Sequence, residues 1–368
     1  MELSKEELNK TWLVTGSCGM DASLMFDLLL EKGYTNIHGT MRRSATFNTQ
    51  NIDHIFDKLK LHYCDLTDSM NIHNIIAKVR PDYIVHLAAM SHVKVSHDLE
   101  NYTFQTNTLG TLSILQSVRS LGLEKTCKIY HASTSEQFGN TSDGSIMLNE
   151  ESLMKPVSIY GISKKASQEI CNMYRDAYGM FIVSSILFNH EGSRRGHTFV
   201  TQKIADYVGK YYDLHRSGAS ARQGDTCCKN ETQFPLQPLQ LGNINARRDW
   251  GSAKLYMIAV YKMLQQENPD NYVIATGETH SVREFVELAF KEIGIDVEWV
   301  GTGVDEVGVN KNNKEQILVQ VNPKYYRDID IECLIGDASK AKRELGWSYD
   351  LEFKDLVKEM VVAAINRI

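Results

Sequence analysis

Residues 12–22 read Trp12-Leu13-Val14-Thr15-Gly16-Ser17-Cys18-Gly19-Met20-Asp21-Ala22. An apolar run leads into a glycine-punctuated turn, and Leu24, Leu28 and Leu29 then recur at helical spacing. Glycine permits a tight turn and lets the backbone approach a pyrophosphate, whose charge then sits at the positive end of the following helix. A strand, turn and helix in this order, in the first such unit of the chain, predict a dinucleotide site at Gly16, Gly19, Met20 and Asp21.

Working outward, short apolar runs at 37–41, 61–63, 83–87, 128–132, 182–187 and 272–275 read as buried strands. Amphipathic stretches at 22–32, 70–79 and 109–121 lie between the early ones. The alternation predicts an α/β fold, a Rossmann-type doubly wound parallel sheet with helices on both faces. It fails after about residue 190, and a smaller, sequence-interleaved substrate-binding cap is expected there. The expected division is 10–190 for the dinucleotide domain, with a return at about 243–277, and 191–242 with 278–368 mainly for the cap. Residues 213–238 are polar and turn-rich, and are expected to form a mobile insertion.

Composition narrows the partners. A formal charge of −6 without a basic block leaves no surface to neutralise a nucleic-acid backbone. No apolar run approaches the roughly 20 residues that cross a bilayer. The seven cysteines are odd in number and lack metal-ligand spacing, and His86, His92 and His190 are scattered. Residues 1–10 are polar and unlike a signal peptide. Reduced thiols, a cytoplasmic location and no metal are therefore expected.

The second strand ends in Met41-Arg42-Arg43-Ser44, where an NAD site commonly carries an acid. Two guanidiniums and a hydroxyl suit a 2′-phosphate, so NADP is the expected cofactor. Asp65-Leu66 can hold the adenine, although Asp65 can equally cap a helix. Leu87, Ala88 and Ala89 bring a small-side-chain backbone near the dinucleotide.

Tyr160-Gly161-Ile162-Ser163-Lys164 places a phenol and an ammonium on one helix face. A tyrosine acting as base near neutrality must fall about three pH units, roughly 4 kcal/mol of differential stabilisation. An exposed ion pair supplies at most about 1 kcal/mol, so the pair is expected to be sheltered. Ala132-Ser133-Thr134-Ser135-Glu136 follows a predicted strand, at the carboxyl edge where α/β proteins present chemistry.

With these residues the chain resembles the extended short-chain dehydrogenase/reductases, and Thr134-Ser135-Glu136 resembles the sugar-nucleotide 4,6-dehydratases among them. Arg42-Arg43-Ser44 with Phe47-Asn48-Thr49, Asp65-Leu66-Thr67-Asp68, Ser91-His92-Val93-Lys94, Phe188-Asn189-His190-Glu191, Arg194-Arg195-Gly196 and Arg248-Asp249-Trp250-Gly251 resemble the GDP-mannose 4,6-dehydratase family. The resemblance covers nearly the whole chain. It implies NADP-dependent conversion of GDP-D-mannose to GDP-4-dehydro-6-deoxy-D-mannose, with Thr134, Glu136, Tyr160 and Lys164 catalytic. It also implies Ser91, His190 and Arg195 at the cofactor, and Ser91, Asn189, Lys203, Arg248, Arg283 and Glu306 at the substrate. A homodimer or homotetramer is implied, its 43–48 loop reaching a neighbour's cofactor. Met20, Ala22, Ile159, Ser193, Ser252 and Asp328 depart from the family pattern. The alternatives are a dehydratase or epimerase of another nucleotide sugar, and a catalytically silent NADP-binding relative.

Overall fold

The computed structural model describes residues 3–141, 144–220, 236–326 and 331–368. It divides into two compact units, Met1–His190 with Arg248–Thr279 and Ile331–Asp350, and Glu191–Arg247 with His280–Asp330 and Leu351–Ile368.

The first unit is built on β1 (Trp12–Thr15), α1 (Met20–Glu31), β2 (Ile37–Met41), β3 (Lys60–Tyr63), α2 (Ser69–Val79), β4 (Tyr83–His86), α3 (Gly110–Ser120), β5 (Lys128–Ala132), α4 (Ile159–Tyr178), β6 (Ile182–Leu187), α5 (Ala253–Leu264), β7 (Asn271–Ile274) and α6 (Ser339–Leu345). The seven strands form one parallel sheet in the order β7-β6-β5-β4-β1-β2-β3. This is the doubly wound Rossmann-type sheet expected from the sequence. Its central strands read as apolar runs because both faces are covered. Trp12 and Val14 join Met25, Phe26 and Leu29 of α1 and Val260 and Leu264 of α5 in one layer. Leu13 turns to the other, with Ile72 and Ile76 of α2 and Ile114, Leu115 and Val118 of α3. At the β7 edge the Glu150 carboxylate accepts from Val273 N (2.7 Å) and Lys340 Nζ donates to Asn271 O (3.0 Å), so charged side chains occupy the groups a further strand would use.

In the second unit, the helix Val200–Ser220 packs on the helix Phe353–Asn366. A four-stranded sheet runs in the order Val297–Val300, Val307–Asn310, Asn313–Val321, Leu239–Leu241, antiparallel except for the last pair.

Three features differ from the sequence reading. Residues 331–350, read with the cap, cluster with the first unit: Ala341, Leu345 and Trp347 enter its core, and the Trp347 indole donates to Leu255 O (2.9 Å). Residues 213–220, read as part of a loop, continue the helix that begins at Val200. The rest of that expected insertion, 221–235, lies outside the described residues, as does Asp328. The helix expected at 109–121 is preceded by a π-helical turn, Gln105–Leu109, which continues from Glu100–Phe104.

Candidate active site

Gly16 has φ +80°, and a Cβ built on it would lie 3.0 Å from Ala88 N and Cα. Only glycine permits this approach of the β1–α1 turn to the chain leaving β4. The Gly19 N–H donates to Gly16 O (2.9 Å) and α1 starts at Met20, so the helix opens directly onto the turn.

The turn after β4 is fixed by side chains to which the sequence reading gives no role at the cofactor turn. Leu87 N and Ala88 N both donate to Thr15 Oγ1 (3.0 Å each), which lies 2.9 Å from His86 Nδ1. His86 Nε2 is 3.1 Å from Thr111 Oγ1, whose own proton goes to Asn107 O (2.7 Å). That assigns the protons: Nε2–H donates to Thr111, and Nδ1 accepts from Thr15. Burial pushes His86 down to about 3, in keeping with a neutral ring. Asn107, in the π-helical turn, accepts from Met90 N (2.8 Å) and donates to Met90 O and Ser163 Oγ (3.0 Å each). Ser163 Oγ donates to Tyr160 O (2.8 Å), so a buried polar chain links the β4 turn to α4.

Ser158 caps α4 by accepting from Gly161 N (3.0 Å), and Tyr160 and Lys164 lie one turn apart. Lys164 is buried; its Nζ donates to Ala132 O (2.8 Å), at the end of the strand that leads to Thr134 and Glu136. Desolvation lowers Lys164 to about 8. His131, also buried, is pushed well below the usual histidine range by desolvation and then by the Lys164 charge. Thr134 Oγ1 accepts from Glu136 N (3.2 Å) and opens the 3₁₀ turn Ser135–Gln137. Thr134 and Glu136 are buried and Tyr160 is half-buried, the shelter the pair requires.

His190 Nδ1 is 2.9 Å from Phe188 O and Nε2 is 3.0 Å from Asp21 Oδ2, which brings two expected cofactor residues together at the start of α1. The expected 2′-phosphate residues are exposed: Arg42 Nη1 donates to Tyr102 Oη (2.6 Å), and the Arg43 guanidinium lies 5.7 Å from the Tyr63 ring centroid. Asp65 accepts from Thr67 N (2.9 Å) and Thr67 Oγ1 (2.8 Å) in a local turn, whereas Asp68 caps α2 by accepting from Asn71 N (2.9 Å). Leu66 is buried and Ser91 is exposed.

Of the expected substrate residues, Asn189 has a buried Oδ1 without a hydrogen-bond partner, and Arg248 is buried. Beside Arg248, Asp249 is fully buried and accepts from Thr276 N and Oγ1 (2.8 Å each), Gly277 N (3.0 Å) and Gly336 N (3.2 Å). Desolvation still pushes its carboxyl up to about 6. In the second unit, Arg283 grips Glu306 through two contacts (2.8 and 3.0 Å), its guanidinium 4.5 Å from the Trp299 ring centroid. Lys203 Nζ donates to Gln240 O (2.6 Å) over the Tyr325 ring, and burial lowers its pKa. Arg195 Nε lies 3.0 Å from Glu191 Oε2, with its guanidinium 3.6 Å over Phe199. Glu191, which the sequence reading did not single out, also accepts from Thr201 Oγ1 (2.7 Å). No group of three or more metal-ligating side chains occurs among the described residues.

The family model described as GDP-mannose 4,6 dehydratase matches residues 13–218 and 226–360. The chain belongs to the GDP-mannose 4,6-dehydratase family. It is 44% identical over 366 residues to the GDP-mannose 4,6 dehydratase of Drosophila melanogaster, covering 97% of this chain and 87% of that one. It is 43% identical over 362 residues to the Homo sapiens protein of the same name, with 96% and 91% covered. The Vibrio cholerae serotype O1 GDP-mannose 4,6-dehydratase is 41% identical over 374 residues, with 97% and 94% covered. Among solved structures, RMD from Pseudomonas aeruginosa, complexed with NADPH, superposes with a TM-score of 0.72 at 17% identity, covering 98% of this chain and all of that one. The dTDP-glucose 4,6-dehydratase DesIV from Streptomyces venezuelae, with NAD and TYD bound, gives 0.74 at 21% identity, with 96% of each chain covered. These two likenesses bear on the fold, which this family member shares.

Proposed function

We propose that Thr134, Glu136, Tyr160 and Lys164 are the working groups of this GDP-mannose 4,6-dehydratase, an NADP-dependent hydro-lyase that converts GDP-D-mannose to GDP-4-dehydro-6-deoxy-D-mannose. The observation that carries the reading is their convergence: Lys164 is bonded to the last carbonyl of β5, two residues before Thr134, inside a chain that the family model matches over residues 13–218 and 226–360.

The residues present fit a dinucleotide. The Gly16–Ala88 contact leaves a cradle that a Cβ would fill, and the first amides of α1 open onto it. Gly16, Gly19, Met20 and Asp21 would hold the diphosphate, Arg42, Arg43 and Ser44 the 2′-phosphate, and Asp65 and Leu66 the adenine. Leu87, Ala88, Ala89, Ser91, Tyr160, Lys164, His190 and Arg195 complete the set. Bound NADP supplies the hydride acceptor at sugar C4 and the hydride donor at C6.

Tyr160 takes the proton from O4, and the Lys164 ammonium stabilises the phenolate it acts through. Thr134 hydrogen-bonds the same oxygen and holds the sugar in place. The 4-ketone acidifies C5–H; Glu136 removes that proton, the released electron pair forms the C5–C6 double bond, and the C6 hydroxyl leaves as water with a proton from Glu136. Hydride addition at C6 would be completed by a solvent-derived proton at C5, while Tyr160 returns its proton to solvent. For GDP-mannose recognition the reading assigns Ser91, Asn189, Lys203, Arg248, Arg283 and Glu306, with guanidiniums suited to the diphosphate. The unpartnered Asn189 Oδ1 supports a polar ligand there. The same reading includes a homodimer or homotetramer in the cytoplasm. Exposed Phe104, Leu109, Ile162 and Met173 support association, and the free Cys18, Cys64, Cys127, Cys171 and Cys333 support a reducing compartment.

The test is to incubate GDP-mannose with protein and NADP and follow mass and absorbance. The sugar loses one water with no net NADPH. Stoichiometric NADPH, or preferential turnover of a UDP- or dTDP-sugar, would replace the reading with a net dehydrogenase or a differently specific enzyme.

A further inference from the structure

The turn that carries Glu136 is held between two places that admit no side chain. A Cβ built on Gly161, the third residue of α4, would lie 2.9 Å from Glu136 O and 3.0 Å from Pro156 Cβ. On the other side Gly139 has φ +62°, a Cβ there would overlap the Lys155 carbonyl oxygen, and the Gly139 N–H donates to Glu136 O (3.3 Å). The Glu136 carbonyl is therefore fixed against the first turn of α4. That turn is itself pinned, by Ser158 Oγ at Gly161 N (3.0 Å) and by Ser163 Oγ at Tyr160 O (2.8 Å).

We infer that Gly161 is a positioning residue for proton transfer at sugar C5. By lacking a side chain, it sets how closely the Glu136 turn approaches α4, and so the spacing between Glu136 and Tyr160. The inference rests on the reading of Glu136 as the C5 base. A methyl group at 161 cannot be accommodated without displacing the Glu136 carbonyl, the Pro156 side or the Ser158 hydroxyl, which would lie 3.2 Å away. Pro156 and Ser158 lie on the segment that leads into α4 and Tyr160, so the part of the displacement that changes the spacing between Glu136 and Tyr160 is that of the Glu136 carbonyl. Misplacing a reacting group by about 1 Å can cost about 100-fold in rate. Alanine is the better helix former, so a glycine kept only for the fold of α4 predicts no loss confined to one chemical step.

The experiment compares Gly161→Ala, Gly161→Ala combined with Pro156→Gly, and Glu136→Gln. Four readouts are taken: single-turnover reduction of the cofactor and deuterium entry at C5, both with GDP-mannose and NADP in deuterated water, the melting midpoint, and the NADP Kd. Gly161→Ala is expected to slow deuterium entry at least tenfold while C4 oxidation and NADP affinity stay within about twofold and the melt stays cooperative. The double variant opens the Pro156 side, lets the turn step back, and should recover most of the exchange. Exchange within twofold of the parent, equal loss in both steps, no recovery in the double variant, or a Gly161→Ala chain that does not fold each overturns the inference. Glu136→Gln separates the two ideas. If it retains C5 exchange, the base assignment is wrong whatever Gly161→Ala does. If it abolishes exchange while Gly161→Ala leaves it intact, only the positioning role falls.

Discussion

The two ends of the expected cofactor site are built differently. Around β5 and α4, Lys164, Thr134 and Glu136 are buried, with the Lys164 ammonium and the Thr134 hydroxyl bonded to backbone, whereas Arg42, Arg43 and Ser44 after β2 stand exposed. Buried groups cannot reorganise cheaply, so the geometry of the chemistry is set before substrate arrives. Exposed guanidiniums are ordered by what they bind, and they act on affinity and choice of cofactor. The contrast predicts that changes at the first region strike rate and those at the second strike binding.

The largest effect is expected at the buried end. Tyr160→Phe and Glu136→Gln should each lower kcat by about 10²–10⁴-fold, with Tyr160→Phe suppressing cofactor reduction and Glu136→Gln sparing it but blocking deuterium entry at C5. Rapid-quench analysis checks this, and near-normal product from Glu136→Gln would remove it from the mechanism.

Next comes the scaffold between the two regions. Thr15→Val leaves Leu87 N–H, Ala88 N–H and His86 Nδ1 without their partner, at about 1–3 kcal/mol for each group left unsatisfied. Urea unfolding should show that loss, NADP binding should weaken with it, and Thr15→Ser should restore most of both.

A smaller effect belongs to the exposed end. Arg42→Ala with Arg43→Ala should weaken NADP by about tenfold to a hundredfold, the loss of charge-assisted bonds worth about 1.5–3 kcal/mol, and change NAD binding much less. Titration calorimetry with both cofactors decides it; equal weakening would show that the pair does not read the phosphate.

The smallest effects on turnover are those of pH on stability. Lys164 falls from 10.5 to about 8 on folding, so between those values the unfolded chain holds a proton that the folded chain has lost, and this group makes stability rise with pH by at most about 1.4 kcal/mol per unit. Asp249 has the opposite sense: its pKa rises from 3.8 to about 6, the folded chain holds the extra proton, and its contribution falls as pH rises through that window. Unfolding curves of Lys164→Met across pH 8–10 and Asp249→Asn across pH 4–6, set against the parent, should remove each slope.

What could be read from the sequence was local. The glycine turn, the Tyr160–Lys164 spacing and the Thr134–Glu136 run each lie within a few residues, and the strands announce themselves because a doubly covered sheet needs apolar runs. The chain from Thr15 through His86, Thr111 and Asn107 to Ser163 joins residues up to about 150 positions apart, and polar side chains inside apolar elements carry no periodicity that names their partners. The run Arg248-Asp249-Trp250-Gly251 is visible in the sequence, but the four donors to Asp249 come from two distant segments, 276–277 and 336. Residues 331–350 have the pattern of any amphipathic segment, and pattern does not say which of two cores Ala341, Leu345 and Trp347 will join. Ser217-Gly218-Ala219-Ser220 reads as loop, yet the helix from Val200 runs through it, tertiary packing of its earlier turns overriding weak propensity.

The central claim is that hydride leaves C4 and returns within the same turnover to C6. GDP-mannose labelled with deuterium at C4, incubated with the protein and unlabelled NADP, tests it most directly. Deuterium NMR of the product should find the label in the C6 methyl group, with the cofactor pool unlabelled. Label lost to NADPH, retained at C4, or absent from C6 in a dehydrated product would contradict it.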